Sequence, residues 1–198
     1  MGLFNKIFGN RDPRFTELIN QISSLEHDLE AFGAGNDAPD DKKLDDAERF
    51  LKCKFPSAYR DFQKKFGGFH LHVKQEVWPR AKAYEVGPYW YFIYGFVILG
   101  LGGSDIPENL NILKATERFR SEAQNSDLIP FLKELGSADY YCFTADGRIV
   151  FWSHEGERAL QETDFCSLVL EKIRSLQTNK ERKKKLLNVG DTAGWKPD

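Results

Sequence analysis

The chain is poor in cysteine: Cys53, Cys142 and Cys166 are the 3 thiols among 198 residues, and no CxxC pair is present. An odd number of thiols with apolar neighbours reads as reduced and buried. That excludes a disulfide scaffold and points to a cytoplasmic protein. Long apolar runs are also missing. The longest, Tyr89 to Leu101, covers 13 residues, whereas a membrane-crossing helix needs about 20. The opening Met-Gly-Leu-Phe-Asn-Lys-Ile-Phe-Gly has no long apolar stretch and no small-residue cleavage site, so no secretory signal is expected. Gly2 invites a myristoylation reading, but Lys6 stands where that motif wants Ser or Thr. An excess of one charge is absent too: 28 Lys+Arg against 30 Asp+Glu leave a net −2. Nucleic-acid-binding domains usually run strongly basic, so direct nucleic-acid binding is not expected. The 16 glycines show no collagen period.

What is present is an ordinary globular composition, 41% hydrophobic and 14% aromatic, enough to close a core in one domain. The charge is partitioned along the chain. Residues 1–48 carry a net −6, residues 49–170 are balanced, and residues 171–198 carry a net +4. The basic end contains Lys180-Glu-Arg-Lys-Lys-Lys185. It has no interleaved aromatic for stacking bases, so it reads as a solvated helix end.

Periodicity gives the elements. Asp12-Pro13 is a helix start, with a capping acceptor before a proline at the first helical position. Phe15, Leu18, Ile22, Leu25, Leu29 and Phe32 follow at helical steps and predict one amphipathic helix over 14–32, ended by Gly33 and Gly35. Its stripe packs on the domain or forms a weak homodimer contact. A polar linker precedes a second helix near Leu44, with Asp45 and Asp46 at the dipole's positive end and Ala47, Phe50 and Leu51 inward. Phe55-Pro56-Ser57 breaks it and starts another, with Tyr59, Phe62 and Phe66 on one face and Gly67-Gly68 as its stop. Phe69, Leu71 and Val73 alternate with polar residues as a half-buried strand. Tyr89 to Leu101 reads as one or two further strands. Asp105-Ile106-Pro107 opens a helix carrying Leu110, Leu113 and Phe119. Ala138–Phe143 and Arg148–Trp152 read as strands joined through a tight Asp146-Gly147 turn. Thr163 or Asp164 caps a last helix bearing Phe165, Leu168, Val169 and Leu176. The order predicts an α+β fold, a mostly antiparallel (mixed) sheet flanked by helices, with an extra N-terminal amphipathic helix.

The constellations that could carry chemistry are weak. His70 and His72 share one strand face, but no third metal ligand stands at a recognisable spacing. Cys142, His154 and Asp139 could be imagined as a nucleophilic set, yet Cys142 sits between Tyr141 and Phe143, where burial silences a thiol. Gly100-Leu-Gly-Gly-Ser104 and Gly190-Asp-Thr-Ala-Gly194 lack the frame of a phosphate loop. No catalytic residue, metal site or cofactor is therefore expected. The dense aromatics Tyr89, Trp90, Tyr91, Phe92, Tyr94 and Phe96 suggest two strand faces. Trp90, Phe92, Tyr94 and Phe96 would fill a core, and Tyr89 and Tyr91, joined by Trp78, would reach a partner or a covering helix.

Several landmarks fall in a recognisable order. Phe55-Pro56-x-x-Tyr59-x-x-Phe62-x-x-x-Phe66-Gly67-Gly68 resembles the first motif of the SUKH superfamily. Ile129-Pro130-Phe131, Gly136 and Asp139-Tyr-Tyr-Cys-Phe143 resemble its second. Val150-Phe-Trp-Ser-His-Glu155 is similar to its third, and Asp164-Phe165 with Leu168 to its closing helix. The resemblance covers about residues 44–176. One departure is that Gly136 is followed by Ser137-Ala138, where the family tends to be richer in glycine and acid. That group includes fungal regulators of cell-wall glucan synthesis and many bacterial immunity proteins.

The resemblance implies no catalysis and a cytoplasmic protein that neutralises a cognate toxin, often a nuclease, by direct binding. The alternative is a regulatory scaffold in cell-wall assembly. The expected organisation is a helical extension over 1–35, a linker over 36–43, the SUKH-like domain over 44–176 and a basic tail over 177–198. Trp78, Tyr89, Asp139 and Glu155 are the expected partner-facing residues, with no membrane partner.

Overall fold

The computed structural model describes residues 12–33, 37–82, 84–102, 107–123 and 127–188. The N-terminal stretch read for targeting signals, the Gly103–Ile106 part of the glycine run and helix start, and the Gly190–Gly194 run lie outside the described residues. Among those described, six helices and a seven-stranded open sheet form an α+β fold. The strands lie in the order β1-β2-β3-β4-β5-β6-β7, every neighbouring pair antiparallel.

Helix α1 (Pro13–Ser23) begins as its sequence dictates, with the Asp12 carboxylate accepting the Arg14 N–H at 2.9 Å. It then ends at Ser23, about two and a half turns short of the apolar stripe's end at Phe32. Leu29–Gly33 is strand β1, pairing with β2 (Phe69–Val73) from Leu29 opposite Val73 to Gly33 opposite Phe69. The helix predicted over 14–32 is thus corrected, because pairing with β2 outweighs local helical period. Phe15 and Leu18 are buried. Arg14 pairs with Asp164, and Arg174 with Glu17 at 2.6 Å, on the long C-terminal helix α6 (Phe165–Asn188). The apolar face of α1 is covered by its own chain, so a homodimer through helix 14–32 is not supported.

Helix α2 (Asp41–Leu51) starts one turn before the expected position because Asp40 caps it, accepting the Lys43 N–H at 2.8 Å. Phe50 points outward, 63% exposed, and Leu44, Ala47, Glu48 and Leu51 are the buried face. Arg60 of α3 (Ser57–Phe66) binds Asp45 at 2.9 Å and Glu48 at 3.1 Å, joining the two helices. Gly67 ends α3 at φ 62°, a left-handed position that suits glycine.

Aromatic packing closes the main core. Phe131 of β4 (Ile129–Leu135) stacks on Phe143 of β5 (Tyr140–Phe143), ring centres 3.9 Å apart, Tyr59 meets both Phe143 and Phe165 edge-on, and Phe165 tilts against Phe131. The Tyr59 hydroxyl and the Gln63 amide both donate to Leu99 O, at 2.7 and 3.1 Å. These bonds lock α3 to the segment after β3 (Gly95–Ile98). On the opposite sheet face, α5 (Ile112–Glu122), capped by Asn111, covers Cys142, Val150 and Trp152 through Phe119. Strands β6 (Ile149–Trp152) and β7 (Arg158–Gln161) complete the sheet. The Asp146-Gly147 turn lies where the sequence placed it, whereas β7 carried no alternating signal.

His70 and His72 sit on β2, and the ring nitrogens His70 Nε2 and His72 Nδ1 are buried without a partner. Burial and the neighbouring His72 push the His70 ring down to about 4, and burial also lowers His72. A lowered folded value gives stability that is complete above the ordinary histidine range and is lost as pH falls from about 6.5 toward about 4. Wild-type Tm is expected to drop more between pH 7 and 5 than that of His70→Asn. Equal slopes in thermal melts would contradict this assignment.

Candidate functional site

The run Tyr89-Trp90-Tyr91-Phe92 is a single helical turn, α4 (Tyr89–Phe92), and not a strand. Pro88 fixes the entry, and Tyr91 N–H donates back to Pro88 O at 2.9 Å. The two-face alternation expected of these aromatics is therefore corrected. Trp90 and Tyr91 lie against the far end of α6 instead: Arg182 stacks over Trp90 at 4.3 Å and Lys183 over Tyr91 at 2.8 Å. Burial, partly opposed by Glu85, pushes the Lys183 amine down to about 8. The basic run is a structural clamp, since Lys180 also binds Glu26 and Lys184 also binds Asp28. Trp78 is 1% exposed and its indole N–H donates to Tyr91 O at 3.2 Å. It holds α4 from beneath and does not reach a partner.

Tyr89 faces the other way, 55% exposed. Its hydroxyl donates to Glu134 of β4 at 2.8 Å. Glu134 pairs with Lys172 of α6 at 3.0 Å, and Lys172 lies over the Tyr141 ring at 4.6 Å. Burial opposes the Lys172 charge, but Glu134 and Tyr141 outweigh it and raise its pKa. Burial, with the carboxylate of Glu134 adding to it, raises the Tyr89 hydroxyl above its ordinary value.

The β4–β5 turn extends this polar line. Gly136 has φ +100°, and a side chain there would meet Phe92 O at 2.1 Å, so only glycine lets the turn pass under α4. Ser137 Oγ donates to Asp139 at 2.8 Å and accepts the Asp139 N–H at 3.0 Å. Asp139 also accepts the His154 N–H at 3.0 Å and lies 2.8 Å from His154 Nδ1. Burial disfavours the Asp139 charge, yet the bonds from His154 and Ser137 together hold its carboxyl below the usual range. The Asp139 hydrogen bond raises the exposed His154. Glu155 follows at the exposed turn, its N–H donating to Ser153 Oγ at 3.2 Å.

Of the four expected residues, the structure brings Tyr89, Asp139 and Glu155 to one side of the molecule and leaves Trp78 inside. Asp139 is itself 9% exposed and acts as the tether of the His154–Glu155 turn. Glu134, Lys172 and Ser137 were missed. Glu134 and Lys172 have partners distant in sequence, and Ser137, though only two residues from Asp139, gains its role only where that turn meets His154. Beside Tyr89 lies a small cavity of about 180 Å³ lined by Trp90, Phe96, Glu134, Lys172 and Leu176. Tyr89 thus stands exposed over a recess rimmed by the Glu134–Lys172 pair.

Nucleophilic chemistry finds no support at Cys142. Its thiol is fully buried, burial raises its pKa far above the ordinary value, and the His154 ring is held by Asp139. Burial pushes Cys53 and Cys166 up to about 12. Among the described residues, Glu26, Asp28 and Glu181 bring carboxylate oxygens within 4.8 Å of one another, but Lys180 and Lys184 fill that position with amines.

The family model described as SMI1 / KNR4 family (SUKH-1) matches residues 38–169. This chain belongs to that family. The match runs from the approach to α2 into the start of α6. It includes Tyr89, the Gly136–Asp139 turn and Glu155, and leaves α1, β1 and the clamp end of α6 outside. A search among curated proteins found no match. Membership fits an immunity-protein or a SMI1/KNR4-like role. Among the described residues no helix is long and apolar enough to cross a membrane.

Two substitutions test the geometry of this SUKH-1 site. Gly136→Ala should destabilise the fold by about 2 kcal/mol or more through the φ strain and the clash with Phe92 O. Lys172→Met should destabilise by about 2 kcal/mol because it strands Glu134, and Lys172→Met with Glu134→Met should recover most of that loss. Denaturant unfolding reads both. A neutral Gly136→Ala, or a double variant as weak as the single, would contradict the packing described.

Proposed function

We propose that this SUKH-1 protein is a non-catalytic, cytoplasmic immunity protein that neutralises a cognate toxin by direct stoichiometric binding, without a cofactor. The observation that carries the reading is Tyr89, half exposed and held at its hydroxyl by Glu134, with the tethered His154–Glu155 turn following on the same line. A rigid aromatic offers large contact area at small entropic loss, and the exposed Glu155 suits a basic partner such as a nuclease. The acidic residues 1–48, net −6, would steer such a partner from a distance. The alternative role, a regulatory scaffold in cell-wall assembly, accords equally with the family's SMI1 / KNR4 description.

Co-expression with the toxin encoded beside this gene tests the proposal. Wild-type chain should rescue growth and co-purify at one-to-one stoichiometry. Tyr89→Ala, with unchanged Tm, should weaken binding by about 2 kcal/mol, roughly 30-fold. Absence of rescue and of co-purification would reject the immunity role. Recovery of cell-wall synthesis enzymes in its place would favour the scaffold role.

A further inference from the structure

Among the described residues, the open sheet leaves β7 with one side unpaired. Ser153 N–H donates to Glu157 O at 3.0 Å, and hydrogen-bonding direction alternates along an antiparallel strand. With Val150 opposite Leu160 and Trp152 opposite Arg158, Glu157, Ala159 and Gln161 bond toward β6. The amide and carbonyl groups of Arg158 and Leu160 therefore face the open side; Glu162 lies in the bend just after the strand, and pairing with a second copy would extend the strand by that residue. Arg158, Ala159, Leu160 and Glu162 are exposed, Leu160 by 53%. Edge strands are usually blunted by short length, charge, proline or a bulge; β7 is short and carries Arg158, but it has no lysine, proline or bulge, and Leu160 stays exposed within it.

The order Arg158-Ala-Leu160-Gln-Glu162 is complementary to itself when read antiparallel about its centre. The geometry points to β7 as a self-association edge: two copies of this chain join β7 to β7 about a two-fold axis at Leu160, forming one continuous antiparallel sheet. In that register the two Leu160 side chains meet on one face. Each Arg158 stands opposite Glu162 of the other copy, on the same face as Leu160 because the three share strand parity. Centring on Ala159 sets Leu160 against Arg158, and centring on Gln161 sets it against Glu162. Centring on Arg158 or Glu162 sets like charges face to face. Only the Leu160 register pairs apolar with apolar and opposite charge with opposite charge. Tyr89 and the Gly136–Asp139 turn lie apart from β7, whereas the His154–Glu155 turn leads directly into it, so the dimer is read on the chain alone, with no partner present.

Sedimentation equilibrium of the full chain should show a concentration-dependent dimer. Arg158→Glu and Glu162→Arg should each weaken it about tenfold, because both cross-strand pairs of the dimer become repulsive, and the double reversal should restore it. Under mild oxidation Leu160→Cys should form a covalent dimer, since directly opposed residues in a hydrogen-bonded pair sit about 5.5 Å apart at Cα, within disulfide reach. Wild-type chain, with Cys53, Cys142 and Cys166 buried, is the control and should not cross-link. A monomer throughout the measurable range would overturn the proposal. So would a dimer that the charge reversals do not shift and Leu160→Cys does not lock, or a β7 edge protected only by a strand from another protein.

Discussion

The main core is registered against one aromatic contact, the stacking of Phe131 on Phe143 with Tyr59 edge-on to Phe143 and Phe165 set against Tyr59 and Phe131. Two of these rings come from neighbouring strands and two from the helices α3 and α6. Their offset geometry fixes the height and rotation of both helices over the sheet. The Tyr59 hydroxyl bonded to Leu99 O satisfies the one polar atom that this core encloses from that ring. Once α6 is fixed at Phe165, its later turns have a set position. Lys172 arrives over Glu134, and Arg182 and Lys183 arrive over Trp90 and Tyr91.

The site follows from that placement. α4 is a single turn that could not hold itself in water, because helices this short lack enough internal bonds. It is gripped by α6 cations above, Trp78 beneath and the close approach of Gly136 behind. The polar line Lys172–Glu134–Tyr89 then aims one aromatic outward, while Ser137–Asp139–His154 sets the neighbouring turn. The partition of charge gains a structural meaning. Glu26 and Asp28 of the acidic N-terminal region meet Lys180 and Lys184 of the basic end. The near-neutral total reflects an internal clamp as well as surface balance.

Much of the fold was legible in the sequence because its signals are local. Asp12-Pro13, Asp146-Gly147, Gly67 and the alternation Phe69-Leu71-Val73 each act within a few residues. The ordered motifs of the SUKH resemblance fall on α3, β4, β5, β6 and the start of α6. The failures share a cause, which is tertiary context overriding local pattern. Leu29 and Phe32 continue a helical stripe, yet the free side of β2 draws them into a strand. The aromatics 89–92 have strand propensity, yet Pro88 and the α6 clamp wind them into a turn. β7 has no β-branched residue and forms because β6 offers its edge. Tyr89 could be singled out from the sequence as a half-buried aromatic. Glu134, Lys172 and Ser137 could not, since their roles exist only once strands and helix are assembled. Trp78 was drawn toward the surface by its neighbourhood in sequence, whereas the space under α4 claims it.

The central claim is that this SUKH-1 chain meets its partner through the face built by α4, the β4–β5 turn and the turn after β6. Hydrogen–deuterium exchange on the full chain, with and without a protein partner that co-purifies with it, reads that face directly. Slowed exchange concentrated at 87–92, 136–139 and 153–156 on binding is the result the account predicts. Slowed exchange confined to α1, α2 or the α5 face, with those three segments unchanged, would contradict it.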